Sequence, residues 1–135
     1  MGCRLERSRQ WAVRIMHEAQ MYEENAFVTL TFDEEHLLKM CPNGSLDRKH
    51  MQNFMKRLRQ KFKDVKIRTF YCGEYGERLE RPHYHACLFN LDFPDKEFWD
   101  RINGFDYFIS QSLRDVWPYG HSVVSDLTFD SAAVS

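Results

Sequence analysis

A chain of 135 residues with 43% apolar and 15% aromatic side chains is one domain's worth, long enough for a hydrophobic core. A formal net charge of −1 gives no overall nucleic-acid signature, and no apolar run approaches the roughly 18 residues a membrane span needs. The cysteines (Cys3, Cys41, Cys72, Cys87) have neither zinc-site spacing nor disulfide-rich density, and the polar, basic start lacks a leader's apolar stretch, so a soluble intracellular protein is expected.

Residues 4–22 read as a helix, with Trp11, Ile15, Ala19 and Tyr22 at helical spacing. "AFVTLTF" (26–32) reads as a strand, with Thr29 and Thr31 on one face and Val28, Leu30 and Phe32 on the other. After the turn "CPNGS", Ser45 or Asp47 caps a helix running to about Phe62, whose apolar stripe is Met51, Phe54, Met55, Leu58 and Phe62. "VKIRTFYCGEYG" gives a second strand ending near Gly73 or Glu74. A hairpin-like connection through Arg81 and Pro82 leads to a third strand, 83–90. Short helices are expected over 94–102 and 109–117, a weak fourth strand over 120–126, and a helical first turn in "TFDSAAVS", capped by Thr128 or Asp130. This order describes one α+β domain, 1–135, a ferredoxin-like sandwich with an antiparallel sheet. Its helices are expected on one face and the other face can stay open.

Charge is unevenly spread. Between Arg48 and Arg68 nine residues are Lys or Arg and only Asp64 is acidic, whereas eight acids follow between Asp92 and Asp130. Such a basic segment, including Lys56 and Arg59, can hold a phosphate backbone locally, although a solvated helix face is its ordinary explanation.

The chemistry concentrates in "RPHYHACLF" (81–89). On a strand His83 and His85 share a face and Tyr84 takes the other. A metal site needs a further ligand, and hairpin pairing brings Glu74 beside the histidines, with Glu77 and Glu80 in the loop as alternatives. Two imidazoles and a carboxylate suit Mn²⁺ or a similar ion, whereas Mg²⁺ prefers oxygen ligands. The bland alternative is a pair of hydrogen-bonded sheet histidines.

With "YCGEYGE" before it, "RPHYHACLF" resembles the histidine–hydrophobe–histidine motif of the HUH endonucleases. More narrowly it resembles the replication initiators of microviruses (gokushovirus-like), the small single-stranded DNA phages. "FVTLTFDEEHL", "CRLERSRQWAVRIMHEAQ" and "WPYGHSVVSDLTFDSAA" are similar to that family's other motifs, in the family's order. The resemblance implies a histidine pair on a central strand and a divalent ion, Mn²⁺ or Mg²⁺, on His83, His85 and Glu74. It implies rolling-circle initiation, in which a tyrosine opens single-stranded origin DNA, leaving a 5′-phosphotyrosine and a free 3′-hydroxyl. Expected DNA contacts are Thr29, Thr31, Lys56, Arg59, Tyr75, Arg81 and Tyr84. The expected setting is the cytoplasm of a host bacterium, with host replication proteins as further partners and no membrane.

One departure is evident. The family's nucleophilic tyrosine follows the "SAA"-like stretch, with a lysine close behind, and "DSAAVS" has neither. Tyr71, Tyr75, Tyr84, Tyr107 and Tyr119 are not on a helix that could aim them at the ion. The expectation is therefore a fragment, cut short at both ends, that binds metal and single-stranded DNA but nicks little or not at all. Two alternatives predict differently. A non-catalytic nucleic-acid-binding module with structural histidines needs no metal. A hydrolase with Glu77 or Glu80 as general base forms no covalent adduct.

Overall fold

The computed structural model describes residues 2–74 and 82–133. Six strands form one antiparallel sheet: β1 (Asn25–Thr31), β2 (Arg68–Glu74), β3 (His83–Phe89), β4 (Glu97–Ile102), β5 (Phe105–Ile109) and β6 (Ser122–Ser125). Their spatial order is β2-β3-β1-β6-β5-β4, which puts the histidine strand between two neighbours rather than at an edge. The helices are α1 (Gly2–Ala19), α2 (Glu34–Met40), α3 (Arg48–Lys61), α4 (Gln111–Val116) and α5 (Phe129–Ala133). The whole is an α+β sandwich of ferredoxin-like type.

Strand alternation sorts the sheet into two environments. Ala26, Val28 and Leu30 of β1 and Ala86 and Leu88 of β3 face the larger core, against Met51, Phe54, Met55 and Leu58 of α3 and Leu113 and Val116 of α4. Each large side chain buried in this way contributes about 1.5–3 kcal/mol relative to exposure. α3 forms as its sequence dictates. Asp47 is the N-cap, its carboxylate accepting from Lys49 N at 2.9 Å, and Phe62 is the C-cap. Trp117, fully buried, donates from Nε1 to the Thr31 carbonyl at 2.8 Å and so ties the α4 end of this core to the end of β1.

Among the described side chains, the other face is covered toward the end away from the histidines. Ala12, Ile15 and Ala19 of α1 and Ala132 of α5 pack on Phe27, Cys87 and Phe89. α5 starts where the sequence indicates: Ser131 N donates to Thr128 Oγ1 at 3.1 Å and Thr128 N to Ser131 Oγ at 2.8 Å. The remainder of this face, from Thr29 and His85 toward Thr31 and His83, carries no helix contact of that cluster. α1 and α5, both expected as helices, thus lie on the face opposite α3 and α4 rather than in a one-sided helical layer.

The segment 94–102 is not a helix. Phe98, Trp99 and Ile102 have helical spacing, but they lie on β4, which pairs with β5 through Asn103 (φ 54°) and Gly104 (φ 84°). Two successive left-handed residues in Asn-Gly make the turn whose twist suits a two-residue hairpin, and that turn overrides the periodicity. Likewise Ile109 is still strand, and the predicted 109–117 helix starts only at Gln111, where the Ser110 side chain accepts from Leu113 N. α2 was not anticipated. Asp33 caps it, accepting from His36 N at 2.8 Å.

Candidate metal centre

The site is built by register. In β3, His83 lies directly between Glu74 of β2 and Thr31 of β1, and His85 between Cys72 and Thr29. All six therefore point to the sheet face on which α1 and α5 pack, opposite α3. Glu74, the last residue of β2, is the expected third donor. His83 Nε2 lies 3.3 Å from Glu74 Oε2, His85 Nε2 lies 3.4 Å from the same oxygen, and the two ring nitrogens are 3.2 Å apart. Among the described residues this is the one cluster of three or more metal-binding side chains.

The donor triangle fits a metal ion on its own dimensions. Ligand atoms held about 2.1 Å from a shared ion in tetrahedral or octahedral geometry are about 3.0–3.4 Å from one another. The three observed edges fall in that interval. Two nitrogen lone pairs and a carboxylate oxygen also repel when they converge, so protons or a cation must share the space between them. The side chains are largely screened from solvent, with relative exposures of 20% for His83, 13% for His85 and 25% for Glu74. Burial alone would raise the Glu74 pKa. Hydrogen bonds and charge from His83 and His85 outweigh it and lower the carboxyl to about 2. Glu74 is therefore an anion at any physiological pH.

Neighbouring side chains fix the imidazoles. Thr29 Oγ1 lies 3.2 Å from His85 Nδ1, and the Phe27 ring stacks on His85 at 5.2 Å and 20°. With Thr29 accepting from Nδ1–H, Nε2 turns its lone pair to the centre, the arrangement that ligating histidines commonly show. Thr31 Oγ1 donates to the His121 carbonyl at 3.2 Å, and Thr31 N also donates there at 2.9 Å, which fastens the strand beside His83. Gly120 permits this approach, because a Cβ there would run into the Thr31 carbonyl and the Asp33 amide.

Tyr84 corrects one sequence expectation. It is not placed to stack on DNA: it is 3% exposed, on the α3 side of the sheet. Its hydroxyl lies 2.8 Å from His50 Nδ1 and donates to the Asp47 carbonyl at 3.0 Å, where α3 begins. Burial holds His50 below the usual imidazole range, Asp47 opposing in part, so this inner contact is made by an uncharged ring at neutral pH. Sequence reading assigned His50 and Phe27 no part in the site. The only available signal was alternation, which places Tyr84 on the far side and Phe27 beside Thr29.

The other predicted contacts divide in two. Tyr75, Arg81 and the alternative carboxylates Glu77 and Glu80 lie outside the described residues. Lys56 and Arg59 lie on α3, whose apolar side packs on the sheet face opposite the histidines, so the sheet separates them from the centre. Arg59 Nη2 donates to the Ile67 carbonyl at 3.3 Å.

A family model described as replication-associated protein ORF2/G2P matches residues 25–134. The chain is similar to the replication-associated protein VP4 of Bdellovibrio phage phiMH2K, 35% identical over 97% of this chain and 43% of the relative. It is likewise similar to the replication-associated protein ORF2 of Spiroplasma virus 4, 36% identical over 98% of this chain and 43% of that protein. A third relative, the replication-associated protein ORF4 of Chlamydia phage 1, is 32% identical over 93% of this chain and 33% of its own length. The chain therefore spans less than half the length of these curated relatives. No solved structure matches it. These similarities agree with the microvirus-type resemblance carried by the sequence motifs.

Proposed function

The chain belongs to the replication-associated protein ORF2/G2P family, and on that footing we propose that it is the metal-dependent, single-strand-binding domain of a phage replication initiator of HUH type. The observation that carries this reading is the convergence of His83 Nε2, His85 Nε2 and Glu74 Oε2 with edges of 3.2–3.4 Å. Those three residues fit a divalent ion, and their two nitrogens favour Mn²⁺ over Mg²⁺. When bound there, such an ion would supply Lewis-acid polarisation of the scissile phosphate and offset charge on the leaving oxygen.

The chain's own groups supply the rest. Glu74 gives a permanent negative charge, and Thr29 and Phe27 hold the His85 ring so that Nε2 faces the centre. Thr29 and Thr31, on the same face beside the histidines, are proposed to lie along the bound single strand. Tyr75 and Arg81 keep their proposed DNA-contact roles because they directly follow Glu74 and shortly precede His83 in the sequence. In the whole protein the proposed reaction is transesterification. A tyrosine oxygen bonds to phosphorus, the bond from phosphorus to the 3′ oxygen breaks, and that oxygen takes up a proton. The 5′-phosphotyrosine retains the phosphodiester's energy for rejoining. Tyr84 is unsuited to that attack, since its hydroxyl is engaged in the core on the far side of the sheet. The proposed setting is the host bacterial cytoplasm, with origin DNA and host replication proteins as partners.

Fluorescence anisotropy of a labelled single-stranded oligonucleotide, with Mn²⁺ and with EDTA, tests this reading. Affinity is expected to rise with Mn²⁺ for the wild type and to lose that dependence when His83→Ala and His85→Ala are combined. Metal-independent binding that the double variant leaves unchanged would instead favour structural histidines.

A further inference from the structure

The basic residues of α3 pose a separate question, because they sit on the sheet face away from the metal centre. The helix begins Arg48-Lys49 with no acid in its first turn, against the preference of the helix dipole for negative charge there. From residue 48 to residue 63 the sequence contains no acidic residue at all. Lys49, Asn53, Lys56, Gln60 and Lys63 recur at intervals of four and three, so they lie in one stripe along the helix and its C-terminal turn, about 21 Å long at 1.5 Å per residue. Gln52 and Arg59 flank it, and all seven side chains are exposed. Six of these residues, Gln52, Asn53, Lys56, Arg59, Gln60 and Lys63, line one shallow groove.

Two cations of α3 outside this stripe are tied to the protein. Lys61 pairs with Asp115 at 3.0 Å, while Arg57 donates to the Val116 carbonyl at 3.1 Å and lies over the Tyr119 ring. Lys49, Lys56 and Lys63 form no ion pair among the described residues. The stripe is thus an uninterrupted row of positive and amide side chains, without a local acid to neutralise it.

The chemistry of the row selects its ligand. Lysine and arginine neutralise phosphates, and Arg, Lys, Asn and Gln are the side chains that read base edges in a major groove, which admits an α-helix. The aromatics that stack unpaired bases are missing from it, because the helix's two ring-bearing residues, His50 and Phe54, are both buried. We infer that the exposed stripe of α3, centred on Lys56 and Arg59, is a second DNA site that takes duplex rather than single-stranded DNA. The domain then holds duplex on one side of its sheet and single strand on the other, as a protein working at a duplex–single-strand junction requires. This goes beyond the proposed metal-dependent reading and does not depend on the ion.

The test measures two affinities on the same protein. A blunt 16-base-pair duplex and a single strand of equal length are titrated by fluorescence anisotropy at several salt concentrations, in EDTA, for the wild type and for the combined Lys56→Gln and Lys63→Gln variant. The wild type is expected to bind the duplex. The variant is expected to lose at least tenfold in duplex affinity, with the slope of log affinity against log salt shallower by about two, one for each lost phosphate contact. Its single-strand affinity and Mn²⁺ titration are expected to stay at wild-type values, and Lys56→Arg with Lys63→Arg to retain duplex binding. Absence of wild-type duplex binding, an unchanged slope, or an equal loss for both DNA forms would overturn the inference. If Mn²⁺ dependence fails while the duplex effect persists, the metal-centre reading falls alone.

Discussion

Tyr84 separates a structural from a DNA-contacting role most cleanly. Tyr84→Phe keeps the ring, which packs edge-on to Phe32 and Trp117, and removes only the hydroxyl. That oxygen contacts His50 Nδ1 at 2.8 Å and donates to the Asp47 carbonyl at 3.0 Å. Losing it leaves buried polar atoms short of a partner, at a cost of about 1–3 kcal/mol. For 135 residues, where each kcal/mol moves the melting temperature by roughly 3–4 °C, the expected drop is about 3–12 °C. Circular dichroism melting reads the shift, and anisotropy with a single-stranded oligonucleotide is run in parallel. Below the variant's own melting range it is expected to bind DNA as the wild type does. An unchanged melting temperature with weakened DNA binding would refute the placement of Tyr84 as an inner clamp between β3 and the start of α3.

Thr29→Val keeps the shape of the side chain but removes the oxygen 3.2 Å from His85 Nδ1. Mn²⁺ affinity is expected to fall about tenfold, the lower end for loss of an outer partner to a ligand, with the melting temperature of the metal-free protein within a few degrees of wild type. Glu74 gives a pH dependence. Its carboxyl titrates near 2 when folded, below the ordinary 4.5, so its stabilisation is fully present above about pH 4.5 and is lost as pH falls toward 2. In EDTA, the unfolding free energy of the wild type from urea titration should therefore drop more steeply over that window than that of Glu74→Gln, by an amount on the order of 2 kcal/mol; parallel curves would count against the pairing. Gly120→Ala forces a Cβ into the Thr31 carbonyl and the Asp33 amide, neither of which can rotate away. It is expected to destabilise by about 1–3 kcal/mol in chemical denaturation and to weaken Mn²⁺ binding through the strand position next to His83.

Much of the site was legible in the sequence because its logic is local. Two-residue alternation puts His83 and His85 on one face, and a hairpin-like connection is enough to bring Glu74 opposite His83. The same holds for α3, whose Asp47 cap and Met51-Phe54-Met55-Leu58 stripe announce both its start and its buried side. What escaped depends on packing between distant segments. Alternation predicts that Tyr84 turns away from the histidines, but only the docking of α3 against that face shows that it is buried there. Docking also decides that Lys56 and Arg59 lie across the sheet from the centre. The 94–102 segment departs from its helical pattern for a different reason. Phe98, Trp99 and Ile102 satisfy a helical period, and the decisive signal was the Asn103-Gly104 pair that follows, which turns the chain into a hairpin.

Calorimetric titration of the wild type and of Glu74→Ala with Mn²⁺, side by side at neutral pH, tests most directly whether Glu74, His83 and His85 form one metal centre. One ion is expected to bind per wild-type chain, and the variant's affinity is expected to fall at least tenfold. Equal affinity in the two proteins, or no binding by the wild type, would contradict the assignment.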